Sequence, residues 1–169
     1  MIRSSAEGVH VLGDGNGWTR CAQGHRHWGI HGAAGLLLRA GATGGPADGR
    51  PASVLMQHRA SWTSDGDTWA LPGGARDSYE SAVQAALREA GEEAGIDSSA
   101  VLVTGEFVDD HGGWAYTTVI AEAVLTVTVV ANAESAELRW VPEDEVDRLD
   151  LHSGFARSWP TLFRGRGNR

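Results

Sequence analysis

The sequence predicts one α/β domain, and three observations predict it. An amphipathic helical pattern runs from Ser78 to Ala94, where Tyr79, Val83, Ala86, Leu87, Ala90 and Ala94 recur at three- and four-residue spacings and form one apolar stripe. Short apolar runs of strand length, bounded by glycine, proline and polar clusters, lie on both sides of that helix in the chain. A second amphipathic stretch, roughly Gly154 to Phe163, closes it. The length, 169 residues, is that of one ordinary domain.

The elements follow in order. Gly13-Asp14-Gly15-Asn16-Gly17 reads as a turn between two brief strands, roughly Val9–Leu12 and Trp18–Ala22. It lacks the spacing of a dinucleotide fingerprint, and Trp18 stands where a calcium loop needs an oxygen ligand. Ala33 to Leu38 is a continuous apolar run that fits a buried strand. Gly41 to Pro51 reads as an exposed loop, Ser53 to Arg59 as a second strand, and Ser64 to Asp67 as a turn. For the main helix, Ser78 is the expected N-cap and Gly95 the C′ stop. Gly91 inside it costs about 1 kcal/mol against alanine, so something other than helix propensity is expected to set that position. Val101–Val108, Trp114–Ala123 and Leu125–Val130 read as strands, with a turn at Asp110-His111-Gly112-Gly113. Leu138–Val141 follows, then a short helix from Pro142 to Leu149. The tail from Arg164 reads as flexible.

Composition excludes several chemistries. There are 22 acidic and 14 basic residues, a formal charge of −8, and every basic residue is arginine. Without lysine there is no Walker A phosphate loop, no kinase of the usual pattern and no Schiff-base chemistry. The acidic balance argues against binding a duplex nucleic acid through its backbone. No apolar stretch is long enough to span a bilayer, and the first residues lack the apolar core of a signal peptide. The single cysteine, Cys21, cannot form an internal disulfide, so a reducing, cytoplasmic setting is expected.

The main helix carries Glu80, Glu89, Glu92 and Glu93. Positions 89, 92 and 93 are i, i+3 and i+4, so three carboxylates crowd one helix face, expected opposite the apolar stripe, with only Arg88 adjacent. Taken alone, that is either a solvated acidic face or a site for a hard divalent cation with oxygen ligands. The spacing decides. From Gly74, five residues lead to Glu80 and seven more to Arg88-Glu89-Ala90-Gly91-Glu92-Glu93-Ala94-Gly95-Ile96. This pattern resembles the Nudix hydrolase signature, Gx5Ex7REUxEExGU with U apolar, at each of its nine defined positions. The preceding Trp69-Ala70-Leu71-Pro72-Gly73-Gly74 resembles the family's turn into that motif. The likeness covers about residues 30–163, leaving 1–29 as an N-terminal extension and 164–169 as a tail.

The resemblance implies an α/β/α sandwich with a mixed central sheet. It also implies Mg²⁺- or Mn²⁺-dependent hydrolysis of a nucleoside diphosphate linked to another moiety. Metal offsets the phosphate charge and acidifies water, and a carboxylate takes the proton. By motif position, Glu92 and Glu93 are implied metal ligands, with the Gly73 carbonyl beside them. Glu89 is implied as general base or ligand, and Arg88 and Glu80 as the pair that orients the others. Gly74 and Gly95 are structural in the motif. The family draws a further carboxylate from a late loop, where Glu134 is the candidate and Glu137 the fallback.

On substrate, the tags of the family's coenzyme A, NADH, ADP-ribose and diadenosine polyphosphate groups are absent or out of register: LPGG precedes the motif, Asp110 to Gly113 occupy the ADP-ribose proline's zone, and Tyr116 lies too far along. What remains is a MutT-like (deoxy)nucleoside triphosphate pyrophosphatase releasing pyrophosphate. An ADP-ribose, dinucleotide or nucleotide-sugar pyrophosphatase is the alternative, and a non-catalytic nucleotide-binding regulator is the alternative from another class. Trp114 and Tyr116 alternate on one strand and, with Trp28, are candidates to stack a base, or else they pack the sheet. Arg59 and Arg39 are candidates for phosphate. The expected partner is a nucleotide, with no membrane, and a homodimer is among the assemblies allowed. Cys21, His25, His27 and His31 also cluster, but structural zinc usually takes two thiolates, so they read as lining a turn or reaching substrate.

Overall fold

The computed structural model describes residues 12–41 and 52–164. All of the expected Val9–Leu12 strand but Leu12, most of the Gly41–Pro51 loop and the tail from 165 lie outside them.

A small antiparallel hairpin comes first, β1 (Trp18–Arg20) with β2 (Arg26–Trp28). So β1 pairs forward, and Leu12 to Gly15 form a turn rather than the end of a strand. The central sheet holds β3 (Ala33–Ala40), β4 (Ser53–Arg59), β5 (Trp69–Ala70), β6 (Gly73–Ala75), β7 (Val101–Asp110), β8 (Ala115–Ala123) and β9 (Ser135–Pro142). Its order is β5-β4-β3-β8-β7, with β6 on β3 and β9 on β4. The β3–β8 pair is parallel and the other pairs are antiparallel. The two helices are α1 (Ala82–Ala94) and α2 (Ser153–Arg164).

Period-two alternation divides the core. Leu36, Leu38 and Leu55 face α1, meeting Ala85, Ala86, Ala90 and Ala94. Leu37, Val54 and Met56 face the other way, onto Val146 and onto Phe155, Trp159 and Leu162 of α2. Each such Leu, fully buried, contributes about 1.5–3 kcal/mol. The result is helix, mixed sheet, helix: the sandwich implied by the resemblance.

Three elements differ from expectation. The helix begins at Ala82, because Ser81 and Gln84 form a reciprocal capping box. Ser78 is engaged elsewhere, by Asp14, and Tyr79 gives its hydroxyl to Asp77. Leu125–Val130 is not a strand: Val130 N–H bonds the Ala94 carbonyl, so this segment spends a backbone donor on the end of α1. The stretch after Pro142 is a 3-10 turn, Glu143–Arg148. Gly95 does stop α1 in the left-handed conformation, at φ 67°. Nothing in the described structure explains Gly91.

One feature of the sheet positions the site. β3 and β4 pair only at Arg39–Val54 and Ala40–Ser53, then part. β6 fills the gap, pairing Gly73 to Ala75 with Ala33 to Gly35, and Leu36 N–H bonds the Pro72 carbonyl. At the closed end, Arg39 pairs with Glu143, the two being 5% and 6% exposed, which ties β3 to the 3-10 turn. Arg39 is therefore a buried structural residue rather than a phosphate contact. Glu143→Ala is expected to cost about 3–5 kcal/mol by leaving that guanidinium uncompensated, and an Arg39→Met/Glu143→Leu pair much less. Urea denaturation of both variants checks this.

Candidate active site

The seam where β3 and β4 part is where the carboxylates gather. Glu93, in the last turn of α1, reaches into it and accepts the Gly73 N–H at 2.9 Å. The Gln57 side chain stands close by and pulls the Glu93 pKa down, while its amide donates to the Ser135 hydroxyl at 2.9 Å. Glu93 is 4% exposed, so it flanks the apolar stripe instead of lying opposite to it. Burial pushes its carboxyl up to about 8, and the charges of Glu89 and Glu134 add to the shift. No arginine pairs with it among the described residues.

Glu89 stands one turn earlier and is largely buried. Its pKa is raised, chiefly by burial, against the pull of Arg88. Arg88 is the organiser of this helix face. Its Nε and Nη2 donate to the two oxygens of Glu80 at 2.6 and 2.9 Å, in a bidentate fork. Nη1 donates to Glu89 Oε1 at 2.8 Å, and Nη2 also reaches the Ala75 carbonyl at 3.0 Å. The hydrogen bond from Arg88 holds the Glu80 carboxyl below its ordinary range. Glu92 is 60% exposed and lies 3.5 Å from Arg88. A Cβ on Gly74 would meet Glu89 Cδ at 2.6 Å, so a side chain there would push the Glu89 carboxylate aside.

Upstream, Asp77 is buried and accepts N–H groups from Gly13 and Gly15, both at 2.9 Å. The Asp14 carboxylate takes the N–H and hydroxyl of Ser78. The Gly13–Gly17 turn thus braces the approach to Glu80, whose Oε2 accepts Asp77 N–H at 3.0 Å.

The other candidates divide. Glu134 is exposed on the loop before β9, and its charge raises both Glu89 and Glu93, so it faces the cluster. Glu137 is taken by Arg139. The Tyr116 hydroxyl lies beneath the seam, 2.1 Å from where a Cβ on Gly35 would stand, and burial pushes its pKa up. Trp114 is 9% exposed, with its N–H on the Gly29 carbonyl and one face stacked on His27 at 3.9 Å. It packs the hairpin against the sheet and offers no free platform for a base. Trp28 sits on the outer face of the hairpin, edge-on to Trp18. Arg59 donates to the Ser64 carbonyl, and its charge reaches Tyr116. Gln57 escaped sequence reading; its one signal is a polar residue closing the buried run Val54-Leu55-Met56.

The donor set is all hard oxygen, with one carboxylate held deep and unpaired by arginine. That arrangement fits Mg²⁺ or Mn²⁺, which reverses the repulsion among Glu89, Glu92, Glu93 and Glu134. Gly74→Ala is expected to displace Glu89 and cut turnover by about 100-fold. Steady-state kinetics checks this, with circular dichroism confirming the fold.

Comparison with known proteins identifies the chain's relatives. The sequence profile of the NUDIX domain matches residues 31–162. A Mycobacterium tuberculosis protein provisionally named 8-oxo-dGTP diphosphatase 3 is 54% identical over 159 residues, covering 90% of this chain and 70% of its own length. A Bifidobacterium longum nucleoside triphosphate pyrophosphatase/Nudix hydrolase fusion protein is 45% identical over 162 residues, which are 94% of this chain and 33% of the fusion. The crystal structure of the M. smegmatis Nudix hydrolase RenU is 50% identical, with a TM-score of 0.81 over 90% of this chain and 96% of that one.

Proposed function

The chain belongs to the NUDIX family and is a hydrolase of phosphoric anhydride bonds, and we propose that its substrate is a (deoxy)nucleoside triphosphate, cleaved to the monophosphate and pyrophosphate. The observation that carries the reaction type is the buried Glu93 beside an Arg88-oriented Glu89. The choice of a triphosphate is supported by the 54% identical relative, whose name specifies 8-oxo-dGTP.

In this reading Glu92, Glu93 and Glu134 hold Mg²⁺ or Mn²⁺ with the Gly73 carbonyl. The ion, when bound, neutralises phosphate charge and lowers the pKa of water. Glu89 takes the proton from the attacking water. Its raised pKa, a consequence of burial, moves it toward the working pH, which suits a general base. Arg88 fixes which Glu89 oxygen is free, and Glu80 fixes Arg88. With no lysine in the chain, side-chain contacts to phosphate fall to arginine, and Arg59 is the candidate beside Tyr116. A reducing cytoplasm is the proposed setting. No helix among the described residues is long and apolar enough to cross a membrane.

The test is a panel of (d)NTPs, oxidised dGTP, ADP-ribose and dinucleotides with Mg²⁺. Pyrophosphate release from a triphosphate is expected. Cleavage of ADP-ribose or dinucleotides alone would overturn the substrate, and silence across the panel would favour a binding role. Loss of a supporting partner at a metal site costs about 10–100-fold, so loss of a ligand in Glu93→Gln is expected to exceed that. Wild-type activity in this variant would overturn the metal assignment.

A further inference from the structure

Away from the carboxylates, four ligating side chains from three parts of the chain meet. Cys21 lies just after β1. His25 precedes β2, and His27 lies within it. His111 comes from the turn joining β7 to β8. One ligand atom of each, the Cys21 Sγ and a ring nitrogen of each histidine, lies within 4.8 Å of all the others. His31, the other histidine of the sequence cluster, is not among them. We propose that Cys21, His25, His27 and His111 form a structural zinc site that clamps the N-terminal hairpin to the β7–β8 turn.

The donor chemistry selects the metal. One thiolate and three imidazoles are soft-to-borderline ligands, a set that suits zinc and not the hard cations of the carboxylate site. Four protein ligands make a closed tetrahedron, the mark of a structural site. Zinc bonds of about 2.0–2.3 Å imply ligand–ligand edges of roughly 3.3–3.8 Å. The widest pair therefore closes by about 1 Å, within the reach of side-chain rotation. Binding takes the proton from the Cys21 thiol and leaves the imidazoles neutral.

A second, independent observation points to the ion. Two ring nitrogens at this spot, His27 Nε2 and His111 Nδ1, are fully buried and have no hydrogen-bond partner. Buried polar nitrogens are rarely left in that state, because each lost bond costs about 1–3 kcal/mol. For His111 the reason is legible. Its Nε2 lies 3.1 Å from Asp109 Oδ2. Donating that N–H to the carboxylate leaves the buried Nδ1 with a lone pair available to a ligand. A carboxylate behind a histidine is the usual outer support of a zinc ligand.

The site has something to hold. Each hairpin strand is three residues long, too short for independent stability. Around the cluster, Ala22 N–H bonds the Gly112 carbonyl at 2.7 Å and the His27 ring stacks on Trp114. Upstream of the same hairpin are the Gly13 and Gly15 amides that bind Asp77 at the approach to the catalytic helix. A clamp here would order the brace for Glu80 and Arg88.

The test is elemental analysis of the untagged full chain, purified without chelator and dialysed against Mg²⁺. One zinc per chain is expected in wild type and in Glu93→Gln, and none in Cys21→Ser or His111→Ala. Asp109→Ala is expected to lower zinc affinity by about 10–100-fold. Where the ligand variants fail to fold, Co²⁺ added to metal-free wild type is expected to give a thiolate-to-cobalt charge-transfer band. Removing zinc is expected to speed amide exchange in residues 18–28 while the central sheet stays protected. Absence of zinc in wild type with no uptake on titration, zinc that follows Glu93 instead of Cys21, or Co²⁺ binding without a thiolate band would each overturn the proposal.

Discussion

A buried carboxylate governs this molecule. Glu93 is folded into the seam between β3 and β4, where Gly73 N–H holds it, Gln57 stands close by, and no arginine among the described residues neutralises it. An ionised carboxylate in that position is costly without a cation. The local sequence around it follows from accommodating that group. The strands must part for β6 to supply the Gly73 N–H. Gln57 must interrupt an apolar strand, and a side chain on Gly74 would push the Glu89 carboxylate aside.

The charge of −8 takes on a different meaning in that light. Acidity argues against a duplex polyanion, but under the proposed function the carboxylates would meet cations on which an anionic substrate could sit. Arg88 is spent on orientation, bound to Glu80 and Glu89. Arg39 is spent on a buried pair. The single arginine fork on Glu80 turns a repulsive helix face into an ordered one.

Much of this was legible in the sequence because spacing on a helix is rigid. The positions of Glu89, Glu92 and Glu93 follow from 3.6 residues per turn. What was not legible depended on groups distant in the chain. The helix start moved from Ser78 to Ser81 because Asp14 claims Ser78. Leu125–Val130 alternates like a strand, yet it closes the end of α1. Trp114 read as either a base platform or a packing residue, and the hairpin that packs over it supports the second. The cysteine-histidine cluster read as short of a thiolate, with His31 as its third histidine, because His111 stands far along the chain. Only the fold brings it to Cys21.

In the proposed function Glu93 is kept buried for a cation, at a cost to the metal-free fold. Its folded pKa, about 8, lies above the ordinary value of 4.5. The unfolded chain therefore releases this proton first, and the group subtracts stability increasingly as pH rises from about 5 to 8. Thermal unfolding of wild type and Glu93→Gln across that range, with and without Mg²⁺, measures this. Without metal, the Gln variant is predicted to be the more stable, by a margin that widens to pH 8 and then levels. Saturating Mg²⁺ is predicted to raise the wild type alone. Parallel pH profiles with no selective gain from Mg²⁺ would contradict the account.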